Sequence, residues 1–259
     1  MTRTIILHYH LFKNAGTSLD LILKRNFGQR WVTAEFPNQG LARNTAQVAD
    51  WIRAHPDAVA FSSHTAQGPL PQIDGVRIIS VMFLRDPIAR IRSAYAFEQG
   101  QAAQTSGVQS SWVQTWGAEL AATTDFAGYV SARLARPGDR QCRNFQTCRM
   151  AMLAPGPQPE LARALRGLAQ LSCVGLVEEF DRSVARLARL LQPAYPAFHW
   201  TPVRANSTAK AAHQAAGHPD QGAVLDALQA ANTDDQALLD RARALYGAQV
   251  SPVGQQSDQ

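Results

Sequence analysis

The sequence predicts an α/β fold in which a mostly parallel central sheet carries helices on both faces. Three observations lead there. Strand-like apolar runs alternate with segments of helical periodicity along the chain. The run "VRIISVMFL" (76–84) is continuously apolar, as expected of a strand covered on both sides. The 259 residues suffice to bury one large core, expected over residues 1–250, with a frayed tail at 251–259.

The elements follow in order. Thr4 to His10 read as the first strand, mostly apolar and partly β-branched. After a turn from Lys13 to Ser18, Leu19, Ile22 and Leu23 recur at helical spacing, and Gly28 is the expected stop. "DAVAFSSH" (57–64) gives a short second strand ending near His64, and 76–84 gives the third. Asp86 is placed to cap a helix whose first residue is Pro87, with Ile88, Ile91 and Tyr95 as its inner stripe. The polar stretch from Gln99 to Gln114 reads as a loop. Helices are expected over 125–136, 159–170 and 180–192, with a buried strand, "SCVGLV" (172–177), between the last two. A loop at 199–210 precedes two closing helices. One lies near 220–231, and the other starts at Asp234 behind a capping box of Thr233 with Gln236.

Composition narrows the function. Hydrophobic residues make up 46% and charged residues 17%, a globular balance. The net charge of +5 is spread along the chain and suits an anionic ligand. No basic run with interleaved aromatics appears, so a nucleic-acid surface is not expected. The three cysteines, Cys142, Cys148 and Cys173, have no metal-ligand spacing and form an odd set, which argues against a disulfide framework or a zinc site. The first residues lack the apolar core of a signal peptide, and no apolar run approaches the ~20 residues that span a bilayer. A soluble, cytoplasmic chain is expected.

Two segments carry chemistry. In "HLFKNAGTSL" a strand gives way through a short turn to a helix. First-turn N–H groups have no intrahelical acceptor, and the helix dipole adds partial positive charge. The backbone over Asn14, Ala15 and Gly16, the hydroxyls of Thr17 and Ser18, and the ammonium of Lys13 then form a cradle for an anion. Lysine is rare here, occurring only at 13, 24 and 210. The motif is not a Walker A loop, because its lysine precedes the glycine instead of following it. In "FLRDPIARIRSAY" a second strand-to-helix junction places Arg85 at a strand's C-terminal end, where open α/β sheets bind ligands. A guanidinium there can hold a phosphate through two parallel N–H bonds, with Ser93 two helical turns further on.

Both segments resemble the nucleotide-binding motifs of sulfotransferases, in particular the carbohydrate branch related to heparan sulfate 2-O-sulfotransferase. His10, Lys13, Gly16, Thr17, Ser18 and Leu19 match the 5′-phosphosulfate loop. Phe12 stands where that loop usually has proline, and Asn14 where it has threonine. Leu84, Arg85, Asp86, Pro87, Arg90, Ser93 and Tyr95 match the 3′-phosphate motif. The resemblance covers residues 4–100 well, with weaker echoes at 144–150, 174–184 and 204–208. It implies a P-loop-like domain whose donor is 3′-phosphoadenosine 5′-phosphosulfate and whose product is adenosine 3′,5′-bisphosphate, with no metal required. The acceptor would be a hydroxyl of a carbohydrate or glycolipid. Lys13 would stabilise the leaving phosphate oxygen, and Asn206, Ser207, Thr208 and Lys210 would close over the nucleotide. The family places one or two catalytic histidines between the motifs. This chain offers Ser62-Ser63-His64, so His64 is the expected general base and a second histidine is missing.

Other polar features read as structural or as acceptor contacts. His8 and His10 share one strand face without an evident third metal ligand and read as packed polar residues. Trp112 and Trp116 suit either sugar stacking or the core, and Asn144 and Gln146 are candidates for the acceptor side. Two other functions are kept in view. A P-loop nucleotide kinase would need a Walker A lysine and a magnesium aspartate. A non-catalytic nucleotide-binding module would keep Arg85 and Ser93 but tolerate loss of Lys13 and His64.

Overall fold

A computed structural model describes residues 2–105, 116–201 and 221–247. Asn206, Ser207, Thr208, Lys210, Trp112 and the tail lie outside the described residues. The chain runs β1 (Arg3–Tyr9), α1 (Gly16–Phe27), β2 (Trp31–Thr33), α2 (Leu41–Ala54), β3 (Ala60–Ser63), β4 (Val76–Leu84) and α3 (Pro87–Thr105). It continues with α4 (Trp116–Thr123), α5 (Phe126–Ala135), α6 (Phe145–Ala151), α7 (Glu160–Gln170), β5 (Cys173–Leu176) and α8 (Phe180–Leu191). After the undescribed stretch come α9 (Gln221–Ala231) and α10 (Thr233–Gly247).

The five strands form one parallel sheet in the order β2-β3-β1-β4-β5. The chain leaves β1 toward one edge and leaves β4 toward the other, so the switch in direction falls between β1 and β4. Ligand crevices of open α/β sheets lie at such a point, outside the strands' C-terminal ends.

Strand alternation divides the core in two. Ile5, Leu7 and Tyr9 of β1 face the side covered by α2, α6, α7 and α10, packing with Trp51, Met150, Leu168 and Leu239. Ile6 faces the other side, with Leu19, Ile22 and Leu23 of α1 and Val184 and Leu187 of α8. His8 and His10 are in phase with Ile6, and so belong to the α1 side. A third cluster, built on Ile91, Tyr129, Val130 and Leu228, holds α3 against α5 and α9. Ile88 and Tyr95 pack on it, completing the inner stripe read from the sequence.

Several expectations are corrected. The helix from Pro87 does not stop at Gln99 but runs on to Thr105. It continues because Glu98 is buried against Arg133, with two bonds of 2.9 and 2.8 Å, and accepts from the Tyr129 hydroxyl at 2.7 Å. The expected turn through Ser18 is shorter, since Gly16, Thr17 and Ser18 already form the first turn of α1. The last helix begins at Thr233, one residue early, and no capping box forms. The Gln236 side chain turns forward to Asp240 at 2.9 Å, and the Asn232 side chain is engaged with Cys142 and Asn144. β2, α2, α4 and α6 were not anticipated. The Asp86 cap holds, with its Oδ1 accepting from the Ala89 N–H at 2.8 Å. Among the described residues no helix is long and apolar enough to cross a membrane.

Candidate functional site

β1 and β4 are neighbours, and the loops that follow them meet. The Arg85 guanidinium donates through Nη1 to the Lys13 carbonyl at 3.1 Å. The two segments singled out in the sequence therefore face one another across the β1–β4 crevice. Burial lowers the Lys13 ammonium from its ordinary range, and the neighbouring Arg85 charge lowers it further. Burial also lowers Arg85, while Glu178 and Asp86 pull it back up.

The loop holds a strained backbone. Lys13 has φ 63° and Ala15 φ 58°, left-handed values for two side-chain-bearing residues, at a cost on the order of 1–2 kcal/mol each. Among the described residues no acceptor takes the N–H groups of Gly16 and Thr17, at the start of α1. Gly16 is required by a close approach: a Cβ there would lie 2.1 Å from Cδ2 and 2.3 Å from Nε2 of His10. Thr17 is exposed and Ser18 buried. The Lys13 Nζ lies 4.4 Å from the centre of the Phe97 ring, which Phe12 meets edge-on at 5.5 Å. Phe12 is thus packed against Phe97.

Asn14 does not point outward. Its side chain is buried and donates through Nδ2 to the Phe83 carbonyl at 2.8 Å and to Gln146 Oε1 at 2.7 Å. Its backbone N–H donates to the Leu11 carbonyl at 3.2 Å, so every donor of Asn14 is used inside the protein and none is left for an anion, contrary to the sequence expectation. Gln146, at the start of α6, also accepts from the Arg85 N–H at 2.8 Å and donates to the Arg85 carbonyl at 2.8 Å. One amide thus clamps both loops. Asp235 of α10 fixes Gln146 in turn, accepting from the N–H groups of Gln146 and Thr147 at 3.1 and 2.7 Å. Asn144 is tied to Asn232, Asp234 and Asp235. The expectation that Asn144 and Gln146 shape the acceptor side is therefore replaced by a structural role. Sequence reasoning missed Gln146 as a clamp because nothing in its spacing announces a contact with residues 61 and 132 positions away.

Ser93 is buried on α3 and engages no protein partner among the described residues. Arg90, although part of the motif, is fully buried, donates to the Gln141 carbonyl and lies 4.5 Å over the Phe145 ring. It is core structure. Trp116 is partly exposed and lies beneath the guanidiniums of Arg133 and Arg136.

On the other flank of β1, register builds a row. His10 sits one residue past the Tyr9–Ser63 pair, beside His64, and its N–H donates to the Ser63 carbonyl at 2.9 Å. β2 pairs Thr33 with Ser62, so Glu35 continues that register to His64. The side chains follow. His64 Nδ1 lies 2.7 Å from Glu35 Oε1, and the His64 ring packs against His10 with centroids 3.9 Å apart and planes tilted by 32°. The Glu35 carboxyl, raised by burial but lowered more by bonds from Thr65 and His64, rests below its usual range. An ionised carboxylate only accepts, so His64 carries a proton on Nδ1, and Nε2 is the nitrogen that accepts whenever the ring is neutral. Arg149 donates to the His64 carbonyl and, at 3.0 Å, to Gln67.

His8 and His10 do have a third partner, contrary to the sequence reading. Asp20 of α1 reaches Nδ1 of each at 2.9 Å. Burial pushes the Asp20 carboxyl up, but the bonds from His10 and His8 together outweigh it and hold it well below the usual carboxylate range. These three side chains bring their ligating atoms within 4.8 Å of one another, and both Nδ1 atoms lie at hydrogen-bond distance from the carboxylate.

No family model matches the chain. It is 39% identical over 212 residues, 80% of either chain, to an uncharacterized protein of Archaeoglobus fulgidus. The chain belongs to the same family as that archaeal protein.

Proposed function

We propose that this protein is a sulfotransferase that moves the sulfuryl group of 3′-phosphoadenosine 5′-phosphosulfate to a hydroxyl, with a carbohydrate or glycolipid as the acceptor class. One observation carries the reading. Lys13 and Arg85, the cations of two separate strand-to-helix cradles, meet at the β1–β4 crevice, where a single doubly charged nucleotide can touch both. Gly16, Thr17 and Ser18 at the start of α1 would receive the 5′ end. Arg85 and Ser93 would receive the 3′-phosphate.

The chemistry follows from the side chains. The acceptor oxygen attacks sulfur, the bond from sulfur to the bridging phosphate oxygen breaks, and adenosine 3′,5′-bisphosphate leaves. Negative charge grows on that bridging oxygen, and the Lys13 ammonium stabilises it. Its lowered proton affinity also suits it to donate a proton there. The acceptor's own proton passes to His64 Nε2, the accepting nitrogen of the neutral ring because Glu35 holds Nδ1.

Calorimetry with adenosine 3′,5′-bisphosphate tests this. Binding is expected with or without magnesium. A requirement for magnesium together with preference for a nucleoside triphosphate would favour a kinase. Lys13→Ala should keep bisphosphate binding and lose turnover about 10²–10³-fold, followed by mass spectrometry with labelled donor across an acceptor panel. A Lys13→Ala protein with full turnover defeats the proposal.

A further inference from the structure

We infer that His10 is a donor-anion ligand in its imidazolium form, so that the loop at 13–18 gains a proton as it gains its nucleotide. The inference rests on the function proposed above and adds to it a residue and a proton.

The geometry leaves His10 little freedom. The residue is only 8% exposed. Its Nδ1 is 2.9 Å from Asp20 Oδ2, and that carboxylate, being ionised, can only accept. The proton on Nδ1 is therefore fixed. The opposite edge of the ring lies against Gly16, where even a methyl group would collide with Cδ2 and Nε2. Nε2 thus stands against Gly16, the first residue of α1, whose N–H, like that of Thr17, lacks an acceptor among the described residues. It has no protein partner among the described residues.

What Nε2 offers an anion depends on one proton. The neutral ring presents a lone pair, which repels a phosphosulfate oxygen. The imidazolium presents an N–H and a positive charge. The charges around the ring are opposed. Asp20 from α1 faces it, and Glu35 stands behind the adjoining His64 ring. Lys13 in the loop and Arg85 from β4 supply cations, and His8 shares Asp20 from the same strand. An arriving dianion neutralises Lys13 and Arg85 and removes their opposition to a third cation. Binding and protonation then favour each other.

Proton counting by calorimetry tests the idea. Adenosine 3′,5′-bisphosphate is titrated at about pH 7.5, above the ordinary histidine range, in buffers of different ionisation enthalpy. The ligand's own phosphates contribute equally to every protein, so differences between proteins report the side chain. His10→Asn keeps a donor toward Asp20 but leaves nothing at Nε2. His10→Gln keeps an uncharged N–H near Nε2. Wild type should take up more protons than either variant, by a substantial fraction of one. His10→Asn should bind more weakly than His10→Gln. If His10→Asn does not fold, shown by loss of its circular dichroism spectrum, His10→Gln alone carries the comparison. Equal proton counts with binding intact would overturn the inference and leave the proposed function standing. Stoichiometric zinc binding, lost in His10→Asn and Asp20→Asn alike, would also overturn it by making the cluster a metal site. Failure of wild type to bind the bisphosphate at any pH from about 6 to 8.5 would instead remove the function proposed above, and this inference with it.

Discussion

Across β2, β3 and β1 the C-terminal edge of the sheet carries imidazoles and carboxylates. Across β1, β4 and α6 it carries amides around a guanidinium. His8, His10 and His64 are held by Asp20 and Glu35 on the first side. Asn14 and Gln146 hold each other and Arg85 on the second. Amides do not titrate, so the clamp on the 13–18 and Arg85 loops is the same at any working pH. Imidazoles can take up a proton, and under the proposed function His64 is the one that does so. The two halves meet at the 13–18 loop, where Asn14 is held by Gln146 and Gly16 lies against His10.

The largest effect should come from breaking the amide side. Gln146→Leu keeps the volume but strands the Arg85 N–H and carbonyl, and removes one of the two acceptors of the Asn14 amide. Each buried polar group left without a partner costs about 1–3 kcal/mol. Urea unfolding should show a loss of about 2–4 kcal/mol. The same loss is expected near pH 5.5 and near pH 8, because no titrating group is removed. A loss confined to one end of that range would mean that the amide clamp is coupled to the imidazole row.

On the imidazole side the effect should be on rate. Glu35→Gln keeps a hydrogen-bond acceptor for the His64 Nδ1–H but removes the charge that fixes the tautomer and stabilises the protonated ring. Under the proposed function, turnover should fall about 10–100-fold, with bisphosphate affinity unchanged and the pH–rate profile displaced. Unchanged turnover would remove His64 from the role of base. The Glu35–His64 pair is exposed on both sides, so little change in stability is expected.

The two halves also differ in how far the sequence disclosed them. The β4–α3 junction was legible to the residue. A strand buried on both faces reads as an unbroken apolar run, and Asp86-Pro87 is a helix start with a mechanism. Lys13 and Arg85 were legible because each follows such a strand. Asp20, Glu35 and Gln146 were not, because their partners are chosen by register and layer, not by spacing along the chain. Glu35 meets His64 only because β2 lies beside β3. β2 itself is three residues long and left no periodicity to read. α6 was hidden because its buried face includes Gln146 and Thr147. α2 was hidden by a start without a side-chain cap and a buried stripe that mixes Asn44 with Val48 and Ile52.

Asp20 supplies the finest test of the division. Its carboxyl is lower in the folded chain than in the unfolded one, chiefly because His10 and His8 donate to it against the cost of burial. A group of that kind contributes stability in full above its unfolded value of about 3.9, and the contribution drains away as pH falls below that toward the folded value. Wild type should therefore exceed Asp20→Asn in urea midpoint at pH 5, and the gap should narrow steadily toward pH 2, where the carboxyl of the unfolded chain is protonated. A gap that stays constant over that window would mean that Asp20 acts through shape alone. The imidazole row would then be a packing device like the amide side, and the difference between the two would be one of composition without consequence for protons.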